Sequence, residues 1–87
     1  MKWVLRWRKD ARTELADLWL KADSAGRQAI TVASHQIDSA LSRYPETEGE
    51  SRDKKRRIYF HSPLGVLYRV KPDIGEVVIL HVWKYQD

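Results

Sequence analysis

Basic and aromatic side chains occur next to each other in the C-terminal part of this chain. The runs Arg57-Ile58-Tyr59, Tyr68-Arg69 and His81-Val82-Trp83 each hold both kinds. Cations bind phosphate oxygens and aromatic rings stack on unpaired bases, so the combination suits a single-stranded nucleic acid. It suits an amphipathic protein segment equally well. If these residues alternate along strands, one exposed sheet face holds Arg57, Tyr59, His61, Arg69, His81, Trp83 and Tyr85.

The histidines do not form a metal-binding pattern. His35, His61 and His81 are far apart, no carboxylate stands at ligand spacing from them, and the chain has no cysteine. We therefore expect no metal site and no cofactor. His81 lies between Leu80 and Val82, so a structural, hydrogen-bonded role competes with a functional one.

A basic cluster follows an acidic segment in the middle of the chain. Residues 46–51 carry three glutamates, and the cluster after them consists of Arg52, Lys54, Lys55, Arg56 and Arg57. Local neutralisation of the two segments is the simplest interpretation. The whole chain is also basic, with a net charge of +4 and a pI near 9.6. A positive balance favours nucleic acid or an acidic protein as partner.

The elements that would position these groups are strands and helices in a clear order. Residues 52–61, 66–71 and 76–83 are β-rich runs separated by two Pro/Gly turns, which predicts an antiparallel meander. Alternation along the first two runs places one set of side chains in the core: Ile58, Phe60, Val66, Tyr68 and Val70. The last run is apolar on both faces, which predicts a central strand.

The N-terminal half predicts one strand and a helical hairpin. Residues 2–8 alternate as a strand does, with Trp3 and Trp7 on one face. An apolar stripe that includes Trp19 predicts a helix over 11–22, with Asp10 as its N-cap. A second stripe predicts a longer helix from Asp23 to Tyr44, and Pro45 ends it. The 87 residues thus predict a single α+β domain over 1–87, with a helical hairpin covering one face of the sheet.

Nothing in the sequence directs the chain to a membrane or an oxidising compartment. The start is too short and too charged for a signal peptide, and no apolar run reaches the roughly 20 residues of a membrane span. We expect a cytoplasmic protein with no membrane partner.

The order of these motifs resembles the RelE/ParE toxins of type II toxin–antitoxin systems. The similarity covers nearly the whole chain, and the segments that carry it are Leu41-Ser42-Arg43-Tyr44-Pro45, Gly49-Glu50-Ser51-Arg52, residues 63–70 and residues 77–83. The resemblance implies a cytoplasmic protein bound by an acidic antitoxin. RelE-like members cut messenger RNA on the ribosome, whereas ParE-like members poison DNA gyrase and are not nucleases.

If the chain is a nuclease, the chemistry of RNA cleavage suggests particular roles for its residues. His81 is the candidate acid/base group, because an unperturbed imidazole titrates near neutral pH. Arg57 and Arg69 are the candidate catalytic cations. The candidate substrate-binding residues are Arg52, Lys54, Lys55, Arg56, Tyr59, Trp83 and Tyr85.

Gly65 is a departure from this pattern. Ribonuclease members usually carry an arginine at this place, the start of the third strand. Its absence favours a toxin that acts on gyrase, or an inactive binding module, whereas His81 and the basic strand favour the nuclease. All three hypotheses stay open at the level of sequence.

Overall fold

Helices and strands form two layers around a shared core. The computed structural model describes residues 3–53 and 55–85. In these residues the elements are β1 (Val4–Trp7), α1 (Lys9–Lys21), α2 (Ser24–Arg43), β2 (Glu50–Asp53), β3 (Arg56–His61), β4 (Leu64–Lys71) and β5 (Glu76–Lys84). Buried side chains from α1, α2, β4 and β5 belong to one cluster. This confirms the predicted α+β fold with a helical hairpin on one face of the sheet.

The strands form one sheet in the order β1-β5-β4-β3-β2. β1 runs parallel to β5, and the other neighbours are antiparallel. β5 therefore lies between two strands, as its apolar residues on both faces predict. Gly75 in the turn before β5 has a φ of 65°, a left-handed conformation that glycine adopts without strain.

The second helix follows the sequence prediction closely. Asp23 is its N-cap and accepts a hydrogen bond of 2.8 Å from the backbone N–H of Gly26. Its buried residues follow the predicted stripe: Ile30, Ala33, Ile37 and Leu41. None of the helices within the described ranges is long and apolar enough to cross a membrane.

The first helix differs from the prediction at its start and on its surface. It begins at Lys9 with Arg8 at the N-cap position, so Asp10 lies in the first turn and does not cap it. Trp19 was predicted in the core but is 39% exposed. Its ring packs against the guanidinium of Arg27, 4.5 Å from the ring centroid, which shields one ring face without burial. Trp3 and Trp7 pack against the core as predicted.

β2 is a strand where the sequence predicts an acidic loop. Glu50–Asp53 pairs with β3, so four strands follow the helices instead of three. All of its residues are exposed, and its composition has no strand propensity. The strand forms because the outer edge of β3 offers backbone partners, a tertiary effect that no local pattern carries.

The predicted faces of β3 are wrong. Arg57 pairs with Tyr68 and Tyr59 pairs with Val66, so both lie on the face that the helices cover. His61 lies on that face too, because it pairs with the buried Leu64. Ile58 and Phe60 lie on the opposite face, and Phe60 is 48% exposed. Both sets contain large apolar groups, and the guanidinium of Arg57 is satisfied on the covered face by the carbonyls of Glu48 and Gly49. Alternation alone therefore predicts the wrong face.

A bulge in β5 decides which of its residues reach the core. Leu67 pairs with His81 but Tyr68 pairs with Ile79, which leaves Leu80 as an extra residue. The extra residue lets Ile79 and Val82 both face the helices, although they are three positions apart. His81 and Trp83 then fall in register with residues of the opposite face.

Candidate functional site

The sheet face opposite the helices, called here the open face, is organised in three rows across β3, β4 and β5. Residues that pair across the strands share a row, and successive rows lie about 7 Å apart along the strands. The rows are Arg56–Arg69–Val78, Ile58–Leu67–His81 and Phe60–Gly65–Trp83. Cations therefore occupy one end, aromatic rings the other, and His81 the row between them.

Phe60, Trp83 and Tyr85 form an aromatic cluster at one end of the open face. The ring of Phe60 meets Trp83 edge-on with centroids 6.2 Å apart, and meets Tyr85 with centroids 5.0 Å apart. Gly65 lies beneath them. A Cβ atom at this position would stand 2.8 Å from Trp83 and 2.9 Å from Phe60. The place where the resemblance implies an arginine is thus filled by rings that need glycine there.

His81 is joined to Glu14 of α1 at the edge of β5. Its Nδ1 lies 3.0 Å from Oε2 and 3.3 Å from Oε1 of Glu14. Oε1 also accepts a 3.0 Å hydrogen bond from the backbone N–H of Val82. Among the described residues, β1 pairs only with Glu76–Ile79, and no other strand lies beside this part of the β5 edge. Both side chains stay about 40% exposed, which leaves the ring accessible.

The cations at the other end of the open face differ in how far they are neutralised. Arg56 donates from Nε to Oδ1 of Asp53 at 2.9 Å and from Nη2 to Oδ2 at 2.6 Å. These hydrogen bonds lower the pKa of Asp53, and the charges of Arg56 and Arg69 lower it further. Arg69 is exposed, and no described residue forms a hydrogen bond or ion pair with its guanidinium. Arg69 is therefore the cation at this end that can meet an anion directly.

The remaining predicted cations lie around this end. Arg52 is exposed on β2 and lies 3.8 Å from Glu50, too far for a strong ion pair. Lys55 is exposed in the turn before β3. The prediction for Lys54 lies outside the described residues.

Arg57 lies on the covered face and holds the segment before β2. Its Nε donates to the carbonyl of Glu48 at 3.1 Å and to the hydroxyl of Tyr68 at 3.2 Å. Its Nη2 donates to the carbonyl of Gly49 at 2.9 Å. The Tyr68 hydroxyl donates to the Glu48 carbonyl at 2.6 Å, with that of Pro45 2.9 Å away. Arg57 is thus held on the other side of the sheet from the Arg69 row.

Burial of Tyr68 makes the stability of the protein sensitive to alkaline pH. Desolvation raises the pKa of Tyr68 above its ordinary value, and the hydrogen bond from Arg57 offsets only part of this. The folded state then keeps a proton that the unfolded state loses above about pH 10. We expect the free energy of unfolding to fall as pH rises through this range, and to fall less steeply in Tyr68→Phe.

Urea unfolding between about pH 8 and about pH 11 measures this effect, because this interval brackets the ordinary pKa of tyrosine. Tyr59, whose pKa burial also raises, leaves some alkaline sensitivity in the variant. Tyr44→Phe is the matched control, because Tyr44 is 61% exposed. A slope in Tyr68→Phe equal to that of the control would contradict the prediction.

The comparisons with known proteins agree on the fold. The sequence matches no protein-family model and no curated protein. The RelBE2 toxin–antitoxin complex of Mycobacterium tuberculosis is similar in structure, with a TM-score of 0.80 at 21% identity over 100% of this chain and 95% of that chain. The chromosomal ParDE system of P. aeruginosa gives a TM-score of 0.76 at 18% identity, covering 97% of each chain. The isolated E. coli RelE toxin gives 0.60 at 17% identity, over 98% of this chain and 86% of that chain. This chain has the RelE/ParE toxin fold.

Within this RelE/ParE fold, the predicted site residues divide between the two faces. Arg69, His81 and Trp83 pair with open-face residues as predicted, and Tyr85 joins them through Phe60. Arg57 and Tyr59 lie on the covered face, and the predicted open-face positions of these two residues are wrong. The described residues contain no group of three or more His, Cys, Asp or Glu side chains that could hold a metal ion.

Sequence reasoning missed two residues of the candidate site, Phe60 and Glu14. Phe60 is missed because the sequence predicts the two faces of β3 the wrong way round and so places Phe60 in the core. Glu14 gave a signal, because it stands three residues after Ala11 and four before Leu18 on the apolar stripe of α1. A carboxylate on such a stripe calls for a polar partner on the element that it packs against.

Proposed function

We propose that this chain is the toxin of a type II toxin–antitoxin system and that it cleaves ribosome-bound messenger RNA on its open face. The observation that carries the proposal is the order of the rows. His81 lies between an aromatic cluster and Arg69, an arginine without a direct ion-pair partner among the described residues, with successive rows about 7 Å apart. Metal-free RNA cleavage needs a base, an acid and a cation. The rows supply His81 as the base and Arg69 as the cation, beside rings on which an unpaired base can stack.

The arrangement suggests a specific division of roles. An unpaired base stacks on Trp83 or Tyr85, which places the neighbouring phosphate beside His81. His81 Nε2 takes the proton of the 2′-hydroxyl, and the 2′-oxygen bonds to phosphorus while the bond to the 5′-oxygen breaks. Water protonates the leaving 5′-oxygen. Arg69 stabilises the extra negative charge on the phosphorane.

An acidic antitoxin is the proposed protein partner. The net charge of +4 attracts an acidic chain, and the similar structures from M. tuberculosis and P. aeruginosa are a toxin–antitoxin complex and a ParDE system. A groove of about 460 Å³ between α1 and α2 offers apolar walls at Leu15 and Ile30 and a cation at Arg12. Such a groove suits an amphipathic segment that carries acidic residues.

The aromatic cluster favours a second candidate function, a toxin that binds DNA gyrase and does no chemistry. Because position 65 is glycine, no arginine side chain there can bind a phosphate. The rings that pack over Gly65 expose apolar surface instead, and Phe60 is 48% exposed. Exposed aromatic rings of this kind are common anchors in protein interfaces. The third hypothesis is an inactive member that only binds nucleic acid or its antitoxin.

Induced expression without antitoxin separates these functions. Pulse-labelling of protein synthesis and DNA synthesis in the same culture is the measurement, with RNA 5′ ends mapped in parallel. The nuclease predicts rapid loss of protein synthesis and new 5′ ends inside translated messages. Loss of DNA synthesis with filamentation would transfer the assignment to gyrase, and normal growth would overturn both toxic functions.

A further inference from the structure

We infer that Glu14 is a positioning residue for His81, an inference that rests on the proposed RNA cleavage for its catalytic consequence. Glu14 and His81 are 67 residues apart in the sequence and meet between α1 and β5. In this role Glu14 sets the tautomer and the orientation of the His81 imidazole. It does not place Glu14 in contact with the substrate.

The chemistry of the contact determines which ring nitrogen carries the proton. An ionised carboxylate only accepts hydrogen bonds, so His81 Nδ1 must be the N–H that points at Glu14 Oε2, 3.0 Å away. In the neutral ring Nε2 is then the unprotonated nitrogen, the form that a general base requires. When Nε2 takes a proton, the carboxylate stabilises the imidazolium that results, as in carboxylate–histidine pairs of other catalytic sites.

A second contact fixes the carboxylate relative to the strand that carries His81. The backbone N–H of Val82 donates to Oε1 of Glu14 at 3.0 Å. One carboxylate therefore holds two neighbouring residues of β5, the backbone of one and the ring of the other. Trp83 follows on the same strand, so the ring of His81 and the aromatic cluster keep a constant relation.

The rival interpretation is that Glu14 only caps the edge of β5. It satisfies the N–H of Val82 where β1 no longer pairs with that edge, and this alone would stabilise the fold. The two interpretations differ in what happens when the charge is removed and the cap is kept. Glu14→Gln makes that change, because its amide oxygen still accepts from Val82.

In Glu14→Gln the amide nitrogen replaces the oxygen that faces His81 Nδ1. An amide N–H is a donor, so the contact now favours a ring with its proton on Nε2. We expect the rate constant of RNA cleavage to fall by at least about tenfold, because a general-base histidine held in the wrong tautomer loses at least that much activity. Substrate binding should change little, since Glu14 touches no substrate.

The experiment measures cleavage of a ribosome-bound message and the ¹⁵N shifts of His81 in the purified protein, for wild type and Glu14→Gln. Asp17→Asn is the matched control, because it removes a charge from the same helix at a surface pair with Lys21. Thermal unfolding of all three proteins shows whether the cap is intact. We expect the His81 ring to carry its proton on Nδ1 in wild type and in the control. In Glu14→Gln we expect this tautomer to be lost and the rate of RNA cleavage to fall.

Each alternative result has a distinct meaning. Two results would overturn the positioning role and leave the nuclease standing. In the first, Glu14→Gln cleaves RNA within twofold of the wild-type rate. In the second, Glu14→Gln cleaves more slowly but the tautomer of His81 is unchanged. A wild-type protein that cuts no RNA while Glu14→Gln shifts the tautomer would overturn the nuclease and leave the positioning of His81 intact.

Discussion

The His81→Ala variant is expected to cleave ribosome-bound RNA roughly 10²- to 10⁴-fold more slowly than wild type, the usual contribution of a positioned acid/base group. His81 is the histidine that lies between the aromatic cluster and Arg69, and its ring is held by Glu14. Alanine leaves the stacking and cationic groups in place and removes the imidazole that transfers the proton, together with its contact to Glu14. Growth arrest on induction should disappear with the cleavage.

His35→Ala is the matched control for His81→Ala. His35 is exposed on α2, so its loss changes neither the open face nor the core. Both variants should keep the thermal unfolding profile of wild type and bind antitoxin. Cleavage by His81→Ala at the wild-type rate would remove His81 from the mechanism. Growth arrest that depends on His81 without any RNA cleavage would instead place this residue in an interface with a protein target.

The sequence is sufficient to predict the two layers of the fold, but not which side chains of β3 face the helices. α2 could be predicted because its cap at Asp23 and its apolar stripe are both local signals. β3 could not, because Ile58 and Phe60 on one side and Tyr59 on the other are all large and apolar enough for a core. The covered face also takes Arg57, whose guanidinium is satisfied by carbonyls of a segment that only tertiary structure brings near.

The candidate site shows the same division between local and tertiary information. His81, Trp83 and Arg69 were found because their types are distinctive and their strands short. Their relative rows depend on the bulge at Leu80, which shifts the register of β5 by one residue. Neither flanking sequence nor alternation specifies a bulge inside an apolar run, so the pairing of Leu67 with His81 had to come from the structure.

The two faces of β3 and β4 are therefore used for different purposes. The covered face holds the 45–49 segment through Arg57 and Tyr68, and the open face carries the groups proposed for chemistry. Because successive residues alternate between the faces, the covered-face network fixes the strands whose other side presents Arg69 and Phe60. Changes in the 45–49 segment should act on activity through stability alone.

Gly49→Ala tests this connection and should be strongly destabilising. Gly49 has a φ of 71°, a conformation that a side chain disfavours. An added Cβ would stand 2.5 Å from the carbonyl oxygen of Ile58 and 2.9 Å from the hydroxyl of Tyr68. Backbone strain and this contact together should lower the free energy of unfolding by roughly 2–4 kcal/mol, a large share for a small domain.

Gly75→Ala separates the strain from the contact. Gly75 has nearly the same φ, 65°, but lies in the turn before β5, away from the Arg57 network. Urea unfolding should therefore show a smaller loss for Gly75→Ala than for Gly49→Ala. Equal losses would mean that the left-handed backbone alone matters and that Ile58 and Tyr68 yield to the new methyl group. RNA cleavage by the folded fraction of Gly49→Ala should equal that of wild type, because the open face is unchanged; a lower rate would show that the covered-face network also sets the geometry of the site.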